Sequence, residues 1–201
     1  MKKYIILFIV YVSILSAGVS TYVLLFSKDY VDEQKGEHLL EKVKASPSHD
    51  HTSKNESEHN FEPNEDLVQA FQNEKNIVAF LLVTLKQKDE QLFKETFMPE
   101  QYMNDLFKVS DTPHEDNVTK QFMRDISRNG TLEKIEVIKH KSKRFKESGT
   151  IKTRFIFEDK QRVNVLLRMK LLGTQHEIDD EIYYITTSVL DIVHQIDSQI
   201  K

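Results

Sequence analysis

Residues 77–85 read IVAFLLVTL, nine positions without a charge and with apolar side chains on nearly every side of a helix. Protein must cover most of the surface of such a helix. Apolar residues on either side of it recur at steps of three and four, the spacing that gathers side chains on one helical face. They are Leu67, Phe71, Val78, Leu82, Leu85, Leu92 and Phe97. The sequence therefore predicts a long amphipathic helix from Leu67 to Phe97, which a bend near Lys86 to Asp89 would split in two.

Two shorter helices are predicted after the long one. Pro99 favours a helix start, and this helix should run through Phe107. The next helix covers Val118 to Ile126, and Gly130 closes it as a C-terminal cap. After Gly130 the apolar period changes from about 3.6 residues to about 2, which is typical of half-buried strands.

Four strands are predicted after this change of period. The first runs from Leu132 to about Lys143, and the fourth from Tyr183 to Val193. The middle two lie on either side of Asp159-Lys160, a separation that indicates a tight hairpin. Their alternating core positions include Phe155, Val165 and Leu167. The predicted fold class is α+β, with the long amphipathic helix and two short helices packed on an antiparallel four-stranded meander.

The order of these elements resembles that of the NTF2-like, or cystatin-like, α+β fold. The likeness extends over about 130 residues, from the long helix to the last strand, and it rests on element order without a motif. Several bacterial surface proteins of this fold, among them the VirB8-type components of conjugation machines, have a single N-terminal membrane span. The resemblance implies a cone between helix and sheet where enzymes of the group place an Asp or His dyad. No such pair maps onto this sequence.

A second apolar run, Tyr4 to Phe26, contains twenty-three uncharged residues. As a helix it would extend about 34 Å, enough to cross the ~30 Å hydrocarbon core of a bilayer. Lys2 and Lys3 precede it and acidic residues follow it, so the positive-inside rule places the N-terminus in the cytoplasm. We expect a single-pass signal-anchor in a bacterial cell membrane, with an extracytoplasmic C-terminal domain. The alternative is a cleavable signal peptide, because Ser16-Ala17-Gly18 suits signal peptidase.

Composition divides the chain into three predicted parts. Residues 1–27 form the cytoplasmic start and transmembrane helix, residues 28–63 a polar flexible tether, and residues 64–201 the extracytoplasmic α+β domain. A short helical extension is considered over Lys28 to Lys44. Metal binding by His49-Asp50-His51 is not expected, because nothing in the tether pre-organises these ligands.

The composition also excludes several kinds of chemistry. The chain has 201 residues without Cys, which excludes disulfides, thiolate nucleophiles and Cys-ligated metals. Its five Gly are scattered, so phosphate-binding loops and nucleophile elbows are absent. Acidic loops at 114–117 and 176–181 lack the spacing of a calcium loop. We therefore predict no catalytic residue, no metal and no cofactor.

Five polar residues near the predicted strands form the candidate ligand-binding group. They are His140, Tyr183, Tyr184, Asp191 and His194. His194 follows Asp191 by three residues, so the two could form a dyad for proton transfer. Two of these groups in hydrogen-bond reach inside a concavity would favour a small-molecule pocket or an enzyme, whereas a cone filled by Phe and Leu would favour a binding module.

Charge is distributed unevenly along the strand region. Residues 130–172 contain twelve basic and five acidic residues, a net of +7, whereas residues 173–201 have a net of −5. A polyanion-facing tip is predicted where the first two strands join, at Lys141, Lys143, Arg144 and Lys146. Such a tip could meet anionic lipid or a cell-wall polymer. Nucleic acid is not expected, because aromatic rings are not interleaved with the basic residues.

The architecture and the lack of catalytic motifs together predict the function. We expect a membrane-anchored extracytoplasmic module, non-enzymatic, that binds or assembles with envelope partner proteins. The predicted contacts are the membrane through Tyr4 to Phe26, an envelope protein, and an anionic lipid or cell-wall polymer. The alternative is the NTF2-like small-molecule pocket or enzyme.

Overall fold

The computed structural model describes residues 29–45, 71–109, 115–139, 148–172 and 182–200. Within these ranges the chain forms six helices and five strands. In chain order they are β1 (Asp29–Tyr30), α1 (Glu33–Ala45), α2 (Glu74–Gln87), α3 (Glu90–Glu95), α4 (Pro99–Val109), α5 (Glu115–Ser127), β2 (Leu132–Lys139), β3 (Ser148–Phe157), β4 (Arg162–Leu172), β5 (Ile182–Ile185) and α6 (Val189–Asp197). The strands form one antiparallel sheet in the order β1 to β5. The predicted α+β class and antiparallel meander are confirmed.

Helix α2 lies at the centre of the core. Asn73 caps its start, because the Asn73 side chain accepts a hydrogen bond from the Lys75 N–H at 2.8 Å. Every residue from Asn76 to Leu85 is buried. Helix α1 packs along α2, and β2, β5, α3 and α5 contact it elsewhere. The expected burial of the uncharged segment IVAFLLVTL is therefore observed.

The predicted long amphipathic helix is not confirmed as one element; α2 and α3 are separate helices, divided where the split was expected. Lys88 ends α2 in the left-handed conformation, with φ 57°, and its N–H bonds to the Thr84 carbonyl. Asp89 then caps α3 by accepting from the Leu92 N–H at 3.1 Å. The bend was thus predicted at the right place. The predicted start at Leu67 lies outside the described residues.

Residues before position 64 contribute a strand and a helix that pack with the later elements. Strand β1 pairs with β2, and helix α1 buries Leu39, Leu40 and Val43. Gly36 lies so close to α2 that a Cβ at this position would stand 2.8 Å from the Ala79 carbonyl oxygen. An all-apolar helix needs cover where the sheet does not reach it, and α1 provides it. Residues 46–63 of the predicted tether lie outside the described residues.

The hairpin of β3 and β4 has the predicted register and tight turn. The two strands pair from Ile156↔Arg162 to Ser148↔Lys170, and Lys160 in the turn has a φ of 67°. Buried and exposed residues alternate along β4. The three predicted core residues are all fully buried: Phe155, Val165 and Leu167.

The predicted fourth strand, Tyr183 to Val193, is wrong after Ile185. Strand β5 ends at Ile185, and Ser188 then caps helix α6 by accepting from the Asp191 N–H at 3.4 Å. The Ile, Val and Thr residues of this segment favour a strand by propensity. In the fold, the helix buries Val189, Ile192 and Ile196, and this tertiary packing overrides the propensity.

A buried carboxylate joins α4 to the start of α6. Asp105 is fully buried, and it accepts hydrogen bonds from the Ser188 hydroxyl and the Val189 N–H, each at 2.7 Å. The positive end of the helix dipole favours this negative charge. The Lys108 ammonium lies 3.4 Å away and adds a partly exposed counter-charge.

Gln195 of α6 and Gln199, in the turn just after this helix, cover a free edge of β4. Strand β5 pairs only with the last four residues of β4. The Gln195 amide accepts from the Leu166 N–H at 2.8 Å and donates to the Leu166 carbonyl at 3.5 Å. Gln199 makes the same pair with Asn164, at 3.0 and 2.8 Å. The end of α6 and the turn after it thus bring two amides to alternate residues on one edge of β4.

In the part of the chain that the structure describes, no helix is long and apolar enough to cross a membrane. This finding contradicts the prediction of a transmembrane, single-pass, signal-anchored protein and the prediction of a cell-membrane location with an extracytoplasmic domain. Both predictions are therefore wrong. The run Tyr4 to Phe26, on which they rested, lies outside the described residues.

The buried Asp105 carboxylate gives a stability prediction. Replacing it by alanine leaves the Ser188 hydroxyl and the Val189 N–H without their buried acceptor, so Asp105→Ala should lower the free energy of unfolding by about 2–4 kcal/mol. Urea unfolding followed by circular dichroism measures this change. The control is Asn104→Ala at an exposed neighbouring position of α4, which should stay within about ±0.5 kcal/mol. Equal stability of the two variants would contradict the role of Asp105.

The glutamine-covered edge gives a prediction about self-association. In the double variant Gln195→Ala and Gln199→Ala, the edge of β4 exposes unpaired N–H and C=O groups, which are a template for pairing with another strand. We expect association that grows with protein concentration, measured by light scattering during size-exclusion chromatography. His194→Ala, an exposed change on the same helix, should elute like the unmodified chain. If the double variant also elutes like the unmodified chain, the two glutamines are not required to prevent association at this edge.

Candidate functional site

The structure describes four of the five residues predicted as a ligand-binding group, on β5 and α6. His140 lies outside the described residues. Tyr183 and Tyr184 are consecutive on β5, so they project to opposite faces of the strand. Asp191 and His194 are exposed on α6. The Asp191 carboxylate lies 3.4 Å from the Arg168 guanidinium, and both side chains are more than half exposed. Asp191 and His194, the pair considered for a His–carboxylate dyad, therefore lie at exposed positions of one helix.

Aromatic rings fill much of the interior beneath the sheet. Phe93 contacts Phe97 and Tyr102 at centroid distances of 5.1 and 6.3 Å, and Tyr102 contacts Phe122 at 6.1 Å. The buried Tyr102 hydroxyl is hydrogen-bonded to the Thr119 hydroxyl at 2.6 Å. A second group, Phe71, Phe80 and Tyr184, makes edge-to-face contacts at 5.2 and 6.2 Å.

Glu95, at the end of α3, is a carboxyl group with an altered pKa that the sequence did not reveal. One of its oxygens is buried, and within the described residues it has no hydrogen-bond partner. Burial raises the pKa of Glu95 to about 7; the Asp89 carboxylate adds to this rise and Lys94 opposes it. Burial also raises the pKa of Tyr184, and the nearby Glu95 contributes. In sequence, Glu95 belongs to the polar segment EQLFKE, which gives no signal of burial.

The outer face of the β3–β4 hairpin carries a group of exposed cations. The register places Lys152 opposite Leu166 and Arg154 opposite Asn164 on this face. The buried residues of β4 and most of those of β3 point to the other side, whereas Ile156 is buried on the same face as Arg154. We call five residues the basic face: Lys152, Arg154, Arg162, Arg168 and Lys170. All are exposed except Arg154, which is half-buried.

The chain neutralises the basic face only in part. The Arg154 guanidinium lies 3.5 Å from the buried Glu136 carboxylate. Arg168 faces the exposed Asp191, a solvated pair that contributes little energy. Among the described residues, no ion pair involves the other three cations, which are Lys152, Arg162 and Lys170. The hairpin therefore presents a net positive surface on a fixed backbone.

Acidic residues near the β3–β4 turn have cationic partners outside the basic face. Glu133 accepts a hydrogen bond from the Lys160 ammonium at 2.9 Å, which lowers the pKa of Glu133. Asp159 accepts from Arg128 at 2.9 Å, and the Gln161 backbone N–H is the main cause that lowers the pKa of Asp159. These carboxylates are already paired, so they offset little of the charge on the basic face.

The predicted polyanion-facing cations lie outside the described residues: Lys141, Lys143, Arg144 and Lys146. They belong to the connection that enters β3 at Ser148, whose strand partner is Lys170. The net charge of residues 130–172 indicated a basic region, and the tip was its densest cluster in sequence. Strand alternation within the same region would have indicated the basic face as well, because Lys152, Arg154 and Arg162 alternate with core residues.

The raised pKa of Glu95 gives a prediction about pH. The folded chain holds this proton more tightly than the unfolded chain, so its contribution to stability is full below the ordinary Glu pKa and is lost as pH rises towards 7. Glu95→Gln cannot ionise, and it should be more stable than the unmodified chain by about 1–3 kcal/mol at pH 8, with no gain at pH 4. Urea unfolding at the two pH values measures this. Glu100→Gln, at an exposed position of α4, is the control; the same pH response in both variants would contradict the assignment.

Comparison with known proteins does not identify a family for this chain. No family model matches the chain, and no curated protein or solved structure matches it. The antiparallel sheet and the preceding helices are compatible with an NTF2-like fold at the level of the α+β class.

Proposed function

We propose that this chain is a non-enzymatic binding module that holds an anionic partner against the basic face. One observation carries the proposal: five cations project from one side of a paired hairpin, and three of them have no ion pair within the described residues. Unpaired charges on a rigid surface attract an oppositely charged partner and orient its approach. This proposal retains the partner-binding function predicted from the sequence and omits the membrane anchor.

The distribution of charge supports an exposed binding surface. The basic side chains project outward while Val163, Val165, Leu167 and Met169 on the same strand are buried, so the cations are not needed for the core. Charged sheet surfaces are common, and lysine at an edge prevents unwanted pairing. Here the edge of β4 is instead covered by Gln195 of α6 and by Gln199 just after that helix. The cations of β4 are therefore available for another role.

A small-molecule site or enzyme is the second candidate function, and Glu95 favours it. This carboxyl group can exchange a proton near neutral pH, and the Tyr184 phenol is close enough to respond to its charge. Proton-transfer enzymes also need a substrate position beside such a group. The rings of Phe71, Phe93 and Phe97 are buried by packing, which supports the binding module over this candidate.

For the fold, we infer an NTF2-like arrangement from the succession of helices followed by an antiparallel meander. The finer likeness to VirB8-type proteins rests on element order and stays a prediction. A solved structure of a related sequence, compared over the whole sheet, would test it.

The basic face gives a binding prediction. In the triple variant Lys152→Glu, Arg162→Glu and Lys170→Glu, the cations without ion pairs are reversed. The full-length unmodified chain should bind immobilised poly-L-glutamate at about 0.05 M salt and release it as the salt concentration rises, because added ions screen exposed charges. The triple variant should lose this binding. Biolayer interferometry over a salt series measures both.

The control for this experiment has the same total charge and leaves the basic face intact. Lys35→Glu, Lys88→Glu and Lys120→Glu place three reversals at exposed positions outside the sheet. This control should bind poly-L-glutamate more tightly than the triple variant. Equal binding by the two sets, or no binding by the unmodified chain, would contradict the proposed function.

A further inference from the structure

An exposed leucine lies among the cations of the basic face. Leu166 is 50% exposed, whereas every other exposed position of β4 before its last two residues is charged or carries an amide. Lys152 pairs with it across the hairpin, and Arg168 is its neighbour on the same face of the strand. Isolated exposed leucines are ordinary on protein surfaces. Leu166, however, lies inside a group of cations, some of which have no ion pair within the described residues. A ligand that matches this face has both anionic and apolar groups.

The backbone around Leu166 is held on both sides. On one side β4 pairs with β3, and on the other the Gln195 amide binds both backbone groups of Leu166, at 2.8 and 3.5 Å. Gln199 holds Asn164 in the same way, and the Thr187 hydroxyl accepts from the Arg168 N–H. The apolar and cationic side chains therefore project from fixed positions. A ligand that matches them loses less conformational freedom in the complex than it would on a mobile loop.

The spacing on this face matches that of an extended peptide. Side chains two residues apart on a strand are separated by about 6.6 Å, which is the separation of Leu166 from Arg168 and from Asn164. The neighbouring strand, with Lys152 and Arg154, lies about 4.8 Å to the side. An extended peptide laid over the face can place an apolar side chain on Leu166 and carboxylates two residues away on the surrounding cations.

We propose that the anionic partner is a protein with an extended acidic segment interrupted by one bulky apolar side chain, which packs on Leu166. The inference rests on the proposed function and specifies its ligand. Charge complementarity selects an acidic segment, and the apolar centre distinguishes that segment from a uniform polyanion, which has nothing to cover the leucine.

The experiment compares two labelled peptides by fluorescence anisotropy with the full-length chain. The peptide EDEFEDE has the apolar centre, and EDEGEDE has the same charge without it. At about 0.1 M salt the first should bind roughly tenfold more tightly, because the aromatic ring and Leu166 bury apolar surface against each other. In Leu166→Gln the affinity for EDEFEDE should fall to that for EDEGEDE, while EDEGEDE binding stays unchanged.

Two further variants keep the result decisive. Met103→Gln removes another exposed apolar side chain, on helix α4, and the tenfold preference should persist in it. If Leu166→Gln fails to fold, as judged by its urea-unfolding transition, Leu166→Thr replaces it, because threonine suits an exposed strand position.

The outcomes distinguish an error about the ligand from an error about the binding surface. Equal affinity for the two peptides, or a preference that Leu166→Gln retains, overturns the inference and leaves the proposed function standing. Binding of phosphatidylglycerol vesicles or of inorganic polyphosphate in place of either peptide also overturns it. If poly-L-glutamate and both peptides all fail to bind, the proposed function and the inference fall together.

Discussion

The structure depends on the requirement that helix α2 be covered around its whole circumference. Its residues from Asn76 to Leu85 are buried, and no single sheet face can enclose a helix on all sides. Several elements therefore pack around it: β2 and β5 of the sheet, helices α3 and α5, and helix α1 from the N-terminal part. Gly36 permits the close approach of α1, because a side chain there would collide with α2. The extent of the domain follows from this one helix.

Polar side chains form hydrogen bonds with backbone groups that regular secondary structure leaves unpaired. The Asp105 carboxylate satisfies the first N–H of α6 and holds that helix against α4. Gln195 of the same helix and Gln199 in the turn after it hydrogen-bond to the part of the β4 edge that β5 leaves unpaired. A fully buried carboxylate is favourable only with such partners, and an unpaired strand edge invites association. Helix α6 thus closes the edge of the sheet while the outer face of the hairpin stays uncovered.

This division of roles bears on function. Aromatic and aliphatic side chains pack in the interior, and Glu95, whose pKa burial raises, lies close enough to Tyr184 to affect its pKa. The outer face of the hairpin combines cations with one exposed leucine on a fixed backbone. Recognition by such a surface uses charge for orientation and apolar contact for selectivity between anionic partners.

The sequence by itself determined the elements whose signals are local: the buried centre of α2, the bend near Lys88, the β3–β4 hairpin and the α+β class. Apolar periodicity and turn residues specify these features, since they reflect interactions between near neighbours. Tertiary structure alone decided the rest. Residues 29–45 joined the domain because α2 needed cover, the segment after Ile185 became a helix because its Val and Ile side chains found a core, and Asp105 met Ser188 across 83 positions. The basic face depends on both. The alternation of residues within β3 and β4 predicts which side chains point outward, whereas the register of the hairpin places Leu166 beside Lys152. Such outcomes depend on contacts between segments distant in sequence, which no local pattern encodes.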